Sequence, residues 1–182
     1  MKIRQFGMAV LVLVMLSPAP ARAEGLLRLF LGASNDTSNN AGRSNTTYGL
    51  GLGALAGGIF GFEIDVGISP DFLVGAGVEA GNLVTVMGNL VLAVPMGVIR
   101  PYASSGAGLL RFSVTRSNLL DIDSNDLGVN MGGGLEGFLT NNIGVFGDIR
   151  YFRSIEKESA LLDFSLGSFN FWRLTAGVTF AF

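Results

Sequence analysis

The chain ends in Phe169-Asn-Phe-Trp-Arg-Leu-Thr-Ala-Gly-Val-Thr-Phe-Ala-Phe182, and this stretch alternates by face up to its last residue. Trp172, Leu174, Ala176, Val178, Phe180 and Phe182 fall on one side, while Arg173, Thr175, Gly177 and Thr179 fall on the other. A period of two marks a β-strand. At ~3.3 Å per residue and a tilt of ~40°, the run from Trp172 to Phe182 spans roughly 25 Å, enough to cross the apolar core of a membrane. Aromatic residues stand at both ends of that span.

The opposite end of the chain carries an export signal. Lys2 and Arg4 precede an apolar run from Phe6 to Leu16, and Ala21-Arg-Ala23 supplies a small-x-small cleavage site. This pattern reads as a signal peptide over residues 1–23, with a mature domain over residues 24–182. A helical anchor needs about twenty apolar residues, and the run is too short for that. Glycine or a polar residue interrupts every later apolar run.

Removing Lys2, Arg4 and Arg22 from the 12 basic residues leaves nine against 14 acidic ones, a net charge of about −5. That balance argues against nucleic acid as a partner. The chain has no cysteine, so no disulfide braces it. The length suits one domain.

From Glu24 onward, alternating segments recur at about 25–32, 47–55, 58–68, 83–94, 99–112, 127–139, 143–152 and 169–182. Their separations are alternately long and polar (33–46, 69–82, 113–126, 153–168) and short (near Ala56-Gly57, Pro95-Met96-Gly97 and Thr140-Asn141-Asn142). The expected fold is all-β: an eight-stranded antiparallel up-and-down transmembrane β-barrel, with long loops at one end and tight turns at the other. A soluble secreted barrel of lipocalin type also alternates, so the character of the two faces decides between them. In the third strand Phe60, Phe62, Ile64, Val66 and Ile68 oppose Gly61, Glu63, Asp65 and Gly67. The apolar face is bulky and continuous, whereas the polar face is poor in charge. Only 14% of all residues are charged, against about 25% in a soluble domain. The apolar faces are therefore assigned to lipid and the polar faces to the lumen. Tyr102-Ala-Ser-Ser-Gly-Ala-Gly-Leu-Leu110 does not separate into two faces, and the register of the fifth strand stays open.

With a signal, eight strands and a last strand ending in Phe, the chain resembles the small outer-membrane β-barrels, including the OmpA membrane domain and OmpX. The likeness covers the mature chain and bears on fold and location more than on activity. It implies the cell outer membrane of a Gram-negative envelope, with both termini periplasmic and the long loops extracellular. It also implies outer-membrane lipid, lipopolysaccharide and the barrel-assembly machinery as partners. In that family the assembly machinery reads the terminal alternation, here Leu174, Ala176, Val178, Phe180 and Phe182. Unlike OmpA, this chain stops at the eighth strand.

The assigned register puts Arg28, Glu63, Asp65, Glu136, Asp148, Arg150 and Arg173 in the lumen as an ion-pair network, with Thr85, Asn89 and Asn130 among them. Charges withdrawn from water need partners. Glu63 and Asp65, two apart on one strand, both stay charged only if an arginine sits between them. The network is either a structural plug or a gate in a narrow passage. Gly49, Gly51, Gly53, Gly61, Gly67, Gly128, Gly132, Gly134 and Gly177 also point inward. They leave voids or admit Phe30, Met87, Phe138, Phe146 and Phe171, and the second outcome is favoured. Tyr151, Trp172, Phe180 and Phe182 form the expected aromatic belt.

Asp121-Ile-Asp123-Ser-Asn125 matches three ligand positions of a calcium loop. Asp126 stands where the turn glycine belongs and Gly132 where the closing glutamate belongs, so a solvated acidic loop is the expectation and no metal is assigned. An arginine near the rim, Arg111 above all, can snorkel to a head group. The chain has no histidine, and Ser104 and Ser105 adjoin no base by spacing, so no catalytic residue and no cofactor are expected. The role expected is structural or surface-interacting through the loops. The alternative is a passive channel, either an ion path or an OmpW-like conduit for small apolar molecules. Composition does not identify a loop ligand.

Overall fold

The structure, a computed structural model, describes residues 23–36, 44–70, 80–115, 122–155 and 170–182. The signal peptide falls almost wholly outside the described residues, as do the tips of the four long connections.

Eight strands run in chain order: β1 (Ala23–Asp36), β2 (Ser44–Ala56), β3 (Phe60–Ser69), β4 (Ala80–Ala93), β5 (Ile99–Thr115), β6 (Ile122–Phe138), β7 (Ile143–Ile155) and β8 (Asn170–Ala181). Each pairs antiparallel with the next, and β8 returns to β1 to close the barrel. The closing seam runs from Leu26 opposite Ala181 to Asp36 opposite Phe171. Beyond it, Gly25 and Phe182 exchange two backbone hydrogen bonds of 2.8 and 3.0 Å. Closure leaves no free sheet edge, which a strand in lipid requires. Among the described residues no helix is long and apolar enough to cross a membrane.

The three tight turns and both ends of the barrel's chain share one end, here the turn end. Gly57 and Gly58 adopt φ of 63° and 70°, left-handed conformations that glycine enters without penalty, in the three-residue connection between the paired Ala56 and Phe60. The 140–142 turn is held by Thr140 Oγ1, which accepts from the backbone N–H groups of Asn142 (3.3 Å) and Ile143 (3.0 Å). The long connections gather at the opposite end, here the loop end.

The strands extend further toward the loop end than the alternation indicates. β1 runs to Asp36, β5 to Thr115 and β7 to Ile155, while β2, β4 and β6 begin at Ser44, Ala80 and Ile122. A ladder continues by its backbone bonds where polar residues on both faces leave no hydrophobic period to read.

In β7 the buried and exposed residues alternate along the whole strand. The outer wall is apolar: Leu90, Met131, Leu135 and Leu174 are 60–62% exposed. A continuous belt of this kind marks a surface that meets lipid. In β5, Tyr102, Ser104 and Leu110 face inward, while Ala103, Ser105 and Leu109 face outward. Both faces are built largely of Ala, Ser and Gly, so they offer no contrast in hydropathy.

Candidate functional site

The barrel interior brings Arg28, Glu63, Asp65, Glu136, Asp148, Arg150 and Arg173 together, each at most 3% exposed. The strand period puts them there, because each sits in phase with the inward row of its strand. Arg100 and Glu24 complete the set and were not read from the sequence. Arg100 lies two residues before Tyr102 on the strand of open register, and its period of two was the signal available.

The ion pairs form one chain. At the turn end, Glu24 Oε2 accepts from Arg100 Nη1 at 2.7 Å. Arg100 grips Glu136 Oε2 through Nε at 2.8 Å and Nη2 at 2.6 Å. Arg28 donates to Glu136 at 3.3 Å and to Glu63 at 2.9 Å. Arg150 donates to Glu63 at 2.8 Å and to Asp148 at 2.9 and 3.2 Å, and its Nη1 lies 3.8 Å from Asp65. Arg173 closes the run with a 2.7 Å bond to Asp65. Arg150 thus bridges the two carboxylates of β3. Thr179 and Tyr102 add hydroxyl bonds to Glu136 (2.6 Å) and Asp148 (2.8 Å). Among the described residues charge balances between four buried arginines (28, 100, 150, 173) and four buried carboxylates (63, 65, 136, 148), with the Glu24 side chain 29% exposed at the mouth.

Aromatic rings hold the guanidiniums in place. Arg28 lies 4.5 Å from the Tyr102 ring and 5.2 Å from Phe146. Arg100 lies 4.6 Å from Phe138, while Arg173 lies 4.9 Å from Phe30 and 4.7 Å from Phe152. Each contact adds a cation–π attraction and excludes water.

Inward glycines make room for these groups. A Cβ at Gly49 would strike the Phe30 ring, at Gly177 Phe146, at Gly134 Tyr102, and at Gly132 Arg150. The spaces that missing side chains leave are occupied by bulky neighbours, as close packing of a narrow barrel requires.

At the loop end, Leu83, Met87, Leu110, Phe152 and Phe171 form a fully buried apolar layer. Phe152 and Phe171 stack with centroids 4.6 Å apart and planes 4° apart. Beside this layer the hydroxyls of Ser34, Thr47 and Ser69 form a buried relay with two contacts of 2.6 Å. At the turn end, Leu26, Leu55, Val91, Ala93, Tyr102 and Ala181 pack around the Glu24–Arg100 exit, with Phe138 against them. Midway, Asn130 Nδ2 donates to Asn89 Oδ1 at 2.8 Å. Asn89 Nδ2, Asn130 Oδ1 and Ser104 Oγ have no protein partner among the described residues.

On the outer wall, Tyr151 and Trp172 pair with ring centroids 5.0 Å apart near the loop end, and Phe180 and Phe182 stand exposed at the turn end. Arg111 and Arg153 face outward on β5 and β7, Arg153 on the strand and not in the 153–168 connection. The Asp121–Asn125 motif is divided. Asp121 lies outside the described residues, while Asp123 and Asn125 belong to β6, opposite Ser113 and Arg111. A paired strand cannot supply the looped turn a calcium site of that type needs. Among the described residues no three ligand-type side chains are grouped to hold a metal.

The model of the outer membrane protein beta-barrel domain matches residues 6–180. Among solved structures, Neisserial surface protein A is similar with a TM-score of 0.67 and 14% identity, covering 88% of this chain and 97% of that one. The N-terminal barrel of Pseudomonas aeruginosa OprF is similar with a TM-score of 0.59 and 19% identity over 87% and 97%. Ail, the attachment invasion locus protein of Yersinia pestis, gives 0.54 and 12% over 87% and 98%. A search of curated proteins found no match. At such identities the structural likenesses speak for the fold alone, and they agree with the eight-stranded closed barrel described above. The family match extends over nearly the whole length, and the chain belongs to the outer membrane protein beta-barrel domain family.

Proposed function

We propose that this outer-membrane barrel works as a closed scaffold, holding its long connections at the cell surface, and that it neither catalyses nor conducts. One observation carries the reading: the lumen holds a charge-balanced ion-pair chain capped at the loop end by a fully buried apolar layer. Ions crossing it would have to part buried pairs and displace stacked phenylalanines, both costly steps. In this reading the signal-like N-terminus serves export, and both ends and the short turns lie in the periplasm with the long connections outside. Loops on a rigid scaffold are where binding concentrates, and their acidic residues include Asp71, Glu79, Asp121, Glu156, Glu158 and Asp163.

Catalysis finds no support in the serines. Ser105 Oγ is committed to the Asn130 carbonyl at 3.2 Å, Ser104 has no base beside it, and the chain has no histidine. The alternating terminal strand suits recognition by the assembly machinery. Arg111 and Arg153 suit contact with head-group phosphates, lipopolysaccharide included.

A second reading, a narrow hydrated path, is favoured by the unpartnered polar atoms of Asn89, Ser104 and Asn130, which suit water. Planar-bilayer recording of purified protein separates the two. The closed scaffold is expected to give no reproducible unitary conductance. Conductance that changes with Glu63→Ala or Arg150→Ala would overturn it.

A further inference from the structure

The β4–β5 turn lacks the polar residues of the 140–142 turn and carries bulkier apolar side chains at its tip than the Gly57-Gly58 turn. Val94-Pro-Met-Gly-Val-Ile99 contains no charged, hydroxyl or amide side chain. Val94, Met96, Val98 and Ile99 are 56%, 65%, 68% and 51% exposed. Turn tips that meet water are built from Gly, Asn, Asp and Ser, as Thr140-Asn141-Asn142 is.

The tip also limits its exposed backbone polarity. Val94 N donates to Pro101 O and Met96 N to Ile99 O, each at 2.9 Å, while Val98 O accepts from Phe138 N at 2.8 Å. Pro95 has no N–H to satisfy. Gly97, at φ 72°, makes the reversal. Such economy is what a hydrocarbon surrounding demands.

The turn continues the lipid-facing wall without a polar break. The outward row of β4 passes from Leu90 (61% exposed) and Leu92 (55%) directly to Val94 and Met96, with Phe60 (55%) alongside on β3. On β5 the outward row from Leu109 to Ile99 already spans roughly 25 Å by the rise and tilt used for β8. Adding Met96 makes this side of the wall taller than the β8 side.

From this continuity we infer that the Val94–Ile99 turn is immersed in the phospholipid leaflet on the turn side of the membrane. The β4–β5 edge of the barrel then sits deeper than the β6–β7 edge, whose turn carries Thr140, Asn141 and Asn142. The occupant of the exposed apolar tip is acyl chain and glycerol, not a soluble protein or a second copy.

The chain has one tryptophan, which makes the test direct. Trp172→Phe is combined with Met96→Trp in one protein and with Asn141→Trp in another, each folded into phosphatidylcholine vesicles with and without brominated acyl chains. The tryptophan at 96 is expected to emit to the blue and lose most of its emission to the brominated chains, with little quenching by acrylamide. The tryptophan at 141 is expected to show the reverse. Val98→Trp replaces Met96→Trp if that variant fails to give the heat-modifiable gel mobility of a folded barrel. Acrylamide quenching and water-like emission at 96 or 98 in the folded protein would overturn the inference and leave the turn as a surface for a soluble partner.

Discussion

Replacing Arg150 with methionine is expected to lower the unfolding free energy of the barrel by about 3–5 kcal/mol, the usual cost of removing one partner from a buried ion pair. Arg150 is the hub of the lumen. It bonds Asp148 and Glu63 and approaches Asp65. Without it Glu63 keeps Arg28, and Asp148 keeps the Tyr102 hydroxyl. One carboxylate charge is then left unbalanced at a buried site. Methionine fills most of the volume, so the loss reports electrostatics more than packing. Adding Asp148→Asn removes the excess charge and is expected to restore part of the loss. Urea unfolding in phospholipid vesicles, followed by Trp172 emission and by gel mobility, measures both variants. An Arg150→Met protein as stable as the parent would mean that the buried chain does not hold the lumen together.

The second large effect lies on the other face. Leu90, 61% exposed and opposite Ser105 near the middle of β5, belongs against the hydrocarbon core. Leu90→Arg is expected to cost about 2–4 kcal/mol, whereas Ile155→Arg, at the loop end of β7, is expected to cost about 0–1 kcal/mol. The same unfolding assay compares them. Equal costs at both depths would contradict the membrane crossing assigned to the wall.

The parts of this molecule that could be read from sequence were those where the two faces of a strand differ strongly. β3, with Phe62, Ile64 and Val66 opposing Glu63 and Asp65, declares its lumen side, as do β7 and β8. β5 does not, because Ala103, Ser105 and Ala107 on one side and Ser104, Gly106 and Gly108 on the other are alike in size and polarity. That ambiguity hid Arg100, and with it the link from Glu24 to Glu136. The loop-end extensions of β1, β2, β4, β5, β6 and β7 were hidden for a related reason: outside the lipid both faces can be polar, and the ladder continues without a period.

Seven of the charged lumen residues could be placed by phase alone. Their partners could not. Arg28 meets Glu136 across 108 residues of chain, and that choice depends on how the strands tilt and stagger when the barrel closes. The glycines show the same limit. Alternation puts Gly49, Gly134 and Gly177 inside, but only the closed packing reveals that Phe30, Tyr102 and Phe146 occupy the space they leave.

The alternating wall is assigned to lipid on one side and to a filled lumen on the other. Nitroxide scanning of β8 from Phe171 to Phe180 in phospholipid vesicles tests both sides at once. Labels at 172, 174, 176, 178 and 180 are expected to collide readily with dissolved oxygen, and labels at 173, 175 and 179 are expected to be immobile and shielded from oxygen and from a water-soluble nickel chelate. High nickel accessibility at the odd positions in the folded protein would contradict the account, because it would mean that water fills the lumen.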